Sequence, residues 1–357
     1  MFHRVFHRLR LMFGIRSKSL FVVLYLAGVA LIFYIGLYSA SIVIVDNTFC
    51  GCTNTCINKT PITENKDNLL QFKVSNRLNP EVKRTKVFLL IIILTGPSNI
   101  ERRNAMRFTW LNATRLTSVS KRFVIGIYDL DNKTKMSLQR EQKMHGDMLF
   151  LQDLKDAYNK LTRKLLSALL WINENVESSF VMKVDDDTFA NLLVIEQELK
   201  TKYYGIDNLY WGFHRGSASV KKSGPWAEPK WILCDRYLPY ALGGGYILSM
   251  KLVEYIANIS SFLVLYNSED VSLGTWLSPI QLTRVHDPRF DTESMSRGCK
   301  NAHIVSHKQS IKDMYDKFNM LKNHGKLCMK EEFIRMSFIY SWNVPPSQCC
   351  ERRKGIP

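Results

Sequence analysis

The chain has 357 residues, 46% of them apolar, enough to bury one large domain or two small ones and too apolar for intrinsic disorder. Its 49 Lys and Arg against 32 Asp and Glu leave a net charge of +17, a balance that prompts a search for nucleic-acid, anionic-membrane or acidic-ligand contacts. The excess is spread along the sequence, and neither a zinc-finger spacing nor an aromatic RNA-binding motif occurs, so nucleic acid is set aside as a partner.

The first feature in chain order is an uncharged stretch from Leu20 to Val45, longer than the roughly 20 residues a helix needs to cross a bilayer. Arg4, Arg8, Arg10, Arg16 and Lys18 precede it and Asp46 follows, which by the positive-inside rule predicts a cytosolic tail (1–19), a signal anchor (20–45) and a lumenal remainder. A cleaved signal peptide is the competing reading, but its apolar core is usually only ~7–15 residues. Four N-glycosylation sequons, at Asn58, Asn112, Asn132 and Asn258, suit the lumen. Eight cysteines fall into a group near the span (Cys50, Cys52, Cys56) and a later set (Cys234, Cys299, Cys328, Cys349, Cys350), whose pairing spacing alone does not give. Residues 46–84 are polar and without sustained period, as in a stem that spaces a domain from a membrane.

At Val87 an unbroken apolar run (VFLLIIIL) predicts a strand buried on both faces. A Gly96-Pro97-Ser98 break and a helical stretch (ERRNAMRFTWLN) follow, then a second strand over Arg122–Tyr128. A helix is predicted over Asp153–Val176, capped by Asp153 and striped by Leu154, Leu161, Leu165, Leu169 and Ile172. A third strand, FVMKV, ends at Val184. Strands alternating with helices predict βαβ units and an open α/β sheet that binds ligands at the C-terminal strand edges.

At such an edge stand Asp185, Asp186 and Asp187. Three adjacent carboxylates repel one another and favour a hard divalent cation able to bridge phosphates; a solvated acidic turn capping the helix after Asn191 is the alternative. Glu269 and Asp270 open a second apolar helix, EDVSLGTWL, where the helix dipole is expected to keep them ionised. Asp270 as general base, with Asp187 holding a cation, would suit transfer of a sugar from a nucleotide; the alternative is that Glu269 and Asp270 merely cap the helix. Gly243, Gly244 and Gly245 allow either a close backbone approach to a sugar or a turn with positive φ. Arg103 and Arg107, one helical turn apart, suit a diphosphate or a uracil carbonyl, or are surface charges. A lone His307 is by itself more often structural.

In this order RRNAMRFTW, FVMKVDDDTFAN, YALGGGYILS and EDVSLG resemble the motifs of the β-1,3-glycosyltransferase family, which has the GT-A fold; the match covers most of Val87 to Pro357. HDPRFDTE, SRGC, SHKQS and the terminal PPSQCCERRKGIP further resemble members that extend the glycosaminoglycan linkage region. The resemblance implies a catalytic GT-A domain over 85–357: a nucleotide-sugar-binding open sheet with flanking helices, behind one transmembrane helix and a stem. It also implies a Golgi type II membrane enzyme, UDP-galactose as donor, Mn²⁺ as cofactor, and galactose of Gal-β1,4-Xyl on a proteoglycan core protein as acceptor. Asp187 and His307 then correspond to metal ligands and Asp270 to the catalytic base, with Asp185, Asp186, Gly243, Gly244, Arg103 and Arg107 around the nucleotide sugar. Thr188 stands where many members have an apolar residue, with its side chain expected to face away from the ion. A β-1,3-N-acetylglucosaminyltransferase, another β-1,3-galactosyltransferase or a non-catalytic lumenal sugar-binding protein are the alternatives, and self-association or an enzyme complex stays open.

Overall fold

The computed structural model describes residues 84–112 and 118–357. The expected tail and membrane span, and all but the last residue of the stem, lie outside them, together with Asn58 and the three cysteines near the span. No helix among the described residues is long and apolar enough to cross a membrane.

In chain order the elements are β1 (Thr85–Leu94), α1 (Ile100–Phe108), β2 (Val119–Gly126), α2 (Asn132–His145), β3 (Met148–Leu151), α3 (Leu161–Asn175), β4 (Val176–Asp185), β5 (Phe189–Ala190), α4 (Leu192–Thr201), β6 (Leu209–Arg215), β7 (Tyr240–Ser249), α5 (Met250–Asn258), α6 (Glu269–Leu277), β8 (Thr283–His286), β9 (Phe290–Asp291), β10 (Val305–Ser306) and α7 (Ile311–His324). Seven strands form one sheet in the order β3-β2-β1-β4-β7-β6-β8, and β5, β10 and β9 form a small second sheet. Strands β1 to β4 pair in parallel. The expected βαβ half is therefore present, joined to β7, which runs antiparallel to both β4 and β6. The result is a mixed α/β open sheet with flanking helices.

The unbroken apolar run of β1 is explained by its two faces. Leu89, Ile91 and Ile93 enter one core with Met106 and Ile195, while Leu90, Ile92 and Leu94 enter the other with Leu165, Leu169 and Leu273. Helices cover both sides of the sheet, so no position of the strand needs to be polar.

Two expectations about elements change. Helix α3 begins at Leu161 rather than Asp153. Leu154 is buried in the preceding loop, where its carbonyl accepts from Tyr128 N at 3.1 Å, and Asp156 accepts from Gly126 N at 3.0 Å. Pairing with the end of β2 thus outcompetes continuation of the helix, and Asp153 caps nothing. The Gly243–Gly245 run is not a turn. It lies within β7 and none of the three has positive φ.

Disulfides join Cys299 to Cys328 and Cys349 to Cys350, leaving Cys234 free and exposed among the described residues. Asn112, Asn132 and Asn258 are all exposed.

Candidate active site

Strand β4 ends in the aspartate triplet, whose members divide between two neighbours. Asp186 accepts from Thr95 Oγ1 at 2.6 Å and Asn99 Nδ2 at 2.8 Å, which ties it to the loop after β1. Asp187 approaches His307, with Oδ1 2.9 Å from Nε2, and Asp185 Oδ2 lies 3.5 Å from the same nitrogen. One ligand atom from each of Asp185, Asp187 and His307 falls within 4.8 Å of the others. Asp185 therefore joins the pair expected to hold a metal, and Asp186 does not.

These residues fit a divalent cation. Two carboxylates and an imidazole are donors that suit Mn²⁺. Both ring nitrogens of His307 are buried without a hydrogen-bond partner, because the close contact with Asp187 lacks hydrogen-bonding angles. A buried polar atom left so is costly unless something binds it. Burial pulls the imidazole pKa down, but the two aspartates outweigh it and hold it up at about 9. Burial likewise raises Asp185 and Asp187, yet Lys183 and His307 keep Asp185, and His307 keeps Asp187, below the usual carboxylate range.

On the other side of the triplet, buried Lys183 donates to Asp185 Oδ1 at 2.9 Å and to the Gly243 carbonyl at 2.6 Å, and ion-pairs with Glu269. Burial works against its charge, but Asp185 and Glu269 keep it protonated well above the ordinary lysine value. Glu269 is shifted the other way. Burial outweighs Lys183 and, with Asp270 and Asp185 nearby, pushes its pKa to about 7. Asp270 is also raised by burial, against Lys183 and the N–H groups of Gly243 and Val271. The helix start was expected to keep both acids ionised; desolvation reverses that direction. Asp270 remains partly exposed, with Oδ2 accepting from Gly243 N at 3.0 Å and Oδ1 from Val271 N at 2.9 Å.

Glycine is needed in β7 because both groups press against its backbone. A Cβ on Gly243 would lie 2.7 Å from Glu269 Oε1, and one on Gly244 would lie 2.6 Å from the His307 ring. Thr188 turns its hydroxyl to the Gly244 carbonyl at 2.8 Å, supporting the same strand.

Arg103 and Arg107 do not reach this cluster as ligand-binding groups. Arg103 is fully buried in a two-point pair with Glu141 (2.8 and 2.7 Å) and donates to the Gly96 carbonyl at 2.6 Å. Arg107 binds Asp147 at 3.0 and 2.8 Å and Glu141 at 2.7 Å. Their guanidinium donors are engaged by buried carboxylates; Arg103 also holds the loop after β1 that grips Asp186, and Arg107 ties α1 to Asp147 just before β3. An open cleft lined by Arg84, Glu177, Lys251 and Glu254 lies at the opposite end of β4 and contains none of the site residues.

Sequence reasoning passed over Lys183, Lys308 and Glu228. A lysine inside an apolar strand was a usable signal, because a buried ammonium demands anionic partners. Lys308, at φ 61° and 3.4 Å from Asp187 Oδ2, and Glu228, 41 residues before Glu269, show nothing in local pattern.

A family model described as Galactosyltransferase matches residues 101–288. Mouse beta-1,3-galactosyltransferase 6 is 48% identical over 278 residues, covering 77% of this chain and 86% of its own. The Arabidopsis thaliana protein named probable beta-1,3-galactosyltransferase 1 is 30% identical over 250 residues, 66% of this chain and 63% of its own. Xenopus tropicalis UDP-GalNAc:beta-1,3-N-acetylgalactosaminyltransferase 2 is 28% identical over 195 residues, 55% of this chain; the match spans only 39% of that longer relative. Among solved structures, the galactosyltransferase LgtC with donor and acceptor sugar analogues overlaps 61% of this chain and 86% of its own at 12% identity, with a TM-score of 0.32. The chain therefore belongs to the galactosyltransferase family and is a β-1,3-galactosyltransferase.

Proposed function

We propose that this enzyme has a GT-A type domain that moves galactose, with inversion, from UDP-galactose to the 3-hydroxyl of galactose in Gal-β1,4-Xyl on proteoglycan core proteins. In this reading it extends the glycosaminoglycan linkage region as a single-pass type II protein of the Golgi membrane. The observation that supports it best is the placement of a cation-binding cluster and a partly exposed carboxylate on consecutive glycines of one strand. His307 packs on Gly244, and Asp270 bonds the N–H of Gly243.

Asp185, Asp187 and His307 would hold Mn²⁺, whose chemistry is to neutralise charge on the departing diphosphate. Asp270 acts as the general base. Each of its oxygens accepts one backbone N–H, which fixes the carboxylate plane and leaves lone pairs free for the proton of the attacking hydroxyl. Lys308, beside Asp187 and half exposed, places a positive charge toward the nucleotide phosphates. Lys183 holds Asp185 and Glu269, and so keeps cation and base in register. Support for galactosyl transfer in β1,3 linkage comes from the 48% identity to mouse beta-1,3-galactosyltransferase 6 and from the family matched; the acceptor rests on the resemblance of the sequence motifs.

The test is incubation with labelled UDP-galactose, Mn²⁺ and a Gal-β1,4-Xyl glycoside, followed by linkage analysis. A β1,3-linked galactose is the expected product, abolished by EDTA. Transfer from UDP-N-acetylglucosamine instead, or product formation indifferent to EDTA, would overturn the donor or the metal assignment respectively.

A further inference from the structure

The segment between β6 and β7 is bolted to the start of α6. Buried Glu228 accepts from Asn267 N at 2.8 Å and Ser268 N at 2.6 Å. The N-cap residue of α6, Ser268, makes no side-chain capping bond, and Glu228 takes up its N–H and that of Asn267 just before it. Asn267 reciprocates, its Nδ2 donating to the carbonyls of Pro225 at 2.9 Å and Ala227 at 3.3 Å, one on either side of Trp226. Beneath, buried Trp231 packs on Tyr237 and Tyr266, each with ring centroids 5.0 Å away. Trp226 is thus held firmly, beside a residue only three positions before Asp270.

The residue is nevertheless 47% exposed, and its indole N–H donates to the hydroxyl of Tyr158, itself 57% exposed. Tyr158 arrives from just before α3, which Thr162 ties to the same place through a 2.7 Å bond to the Tyr266 carbonyl. Two aromatic rings that contribute little to the core are therefore fixed on rigid supports beside the start of the helix that carries Asp270. An aromatic face and a hydroxyl presented together match a pyranose ring, whose C–H face is apolar and whose rim is polar.

The geometry points to Trp226 and Tyr158 as the platform on which a sugar ring of the acceptor glycan stacks while its hydroxyl meets Asp270. The inference rests on the function proposed above. The nucleotide sugar has its own place on the other side of β7, at Asp187 and His307, which leaves the Trp226 side to the acceptor.

The test is acceptor KM and kcat for full-length wild type, Trp226→Ala, Trp226→Phe and Tyr158→Ala, using the methyl glycoside of Gal-β1,4-Xyl, with UDP affinity as the check on folding. Loss of one stacked ring should raise acceptor KM about tenfold in Trp226→Ala, with Trp226→Phe recovering most of it. An acceptor KM within about twofold of wild type in Trp226→Ala, with UDP binding intact, overturns the platform. So does an unchanged KM accompanied by loss of self-association or of vesicle binding, which would give the rings a protein or membrane occupant. Saturation-transfer NMR with the same glycoside reads acceptor binding without turnover. If wild type transfers no galactose, loss of the NMR signal in Trp226→Ala still supports the platform and failure lies with the proposed function; equal signal in both proteins sinks the platform.

Discussion

Lys183, near the end of β4, and Glu269, the first residue of α6, form a buried ion pair that joins the strand bearing the aspartates to the helix bearing Asp270. Their side chains are 2% and 7% exposed, so neither charge has water to fall back on. Breaking such a pair by removing one partner costs about 3–5 kcal/mol, because the other charge stays buried alone. Lys183→Met should lower stability by about that amount in urea titrations, and Lys183→Met with Glu269→Gln should recover part of it. Strict additivity of the two substitutions would show that the pair is not coupled.

Asp270→Asn keeps an oxygen for only one of the two backbone N–H groups that Asp270 accepts from, and it cannot take a proton. Turnover should fall by about a hundredfold or more, with UDP affinity kept. Single-turnover kinetics would check this, and undiminished turnover would remove Asp270 from the proposed mechanism.

Asp187→Ala and His307→Ala should each weaken UDP binding in the presence of Mn²⁺ much more than in its absence. Isothermal calorimetry with and without Mn²⁺ reads the difference. Asp186→Ala, which loses its bonds to Thr95 and Asn99, should act mainly on stability and leave the Mn²⁺ increment in place. An equal loss of that increment in all three variants would mean that Asp186 also holds the ion.

Acid should destabilise the fold through two histidines away from the site. Burial depresses His214 from the ordinary 6.5 to about 3 and His286 to about 4. His286 Nδ1 accepts from His214 N at 3.1 Å, and its Nε2 lies 2.9 Å from the Phe338 carbonyl, so it bears the proton on Nε2. Because both folded-state values lie below the unfolded value, their contribution is complete above pH ~6.5. It declines as pH falls toward the folded values, by up to about 1.4 kcal/mol per pH unit for each group. Urea midpoints measured from neutral to mildly acidic pH should show this slope, and His214→Phe should flatten it.

Much of this could be read from the chain because the signals were local. The run in β1 named a strand buried on both faces, and the triplet after FVMKV named the sheet edge where ligands gather. What failed was anything decided by a distant partner. Asp153 looked like a cap until the pairing of Leu154 and Asp156 with the end of β2 took that stretch out of the helix. Arg103 and Arg107 had the spacing of a phosphate clamp, but Glu141 and Asp147, some 40 residues on, consume them. Helix α2 was missed because its sequence is polar on nearly every face, with only Leu138 and Glu141 buried. Its start was nonetheless written in Asp131, which accepts from Thr134 N. Glycines that suggested a turn belong to a strand, because bulk pressing on a backbone leaves no mark in a single sequence.

The antiparallel pairing of β7 with β4 sets Gly245 opposite Val184 and Tyr246 opposite Lys183. A slip of two residues would leave every inward side chain still facing inward, yet carry the glycines about 7 Å from the carboxylates they serve. Such a molecule would be compact, soluble and inert. Where β6 meets β7 the pairing shifts register between Gly212 and His214, a local irregularity that a slipped ladder would have to move. Correct folding of this enzyme is thus a matter of phase as well as of shape, and assays of solubility or secondary-structure content would not detect the misaligned form.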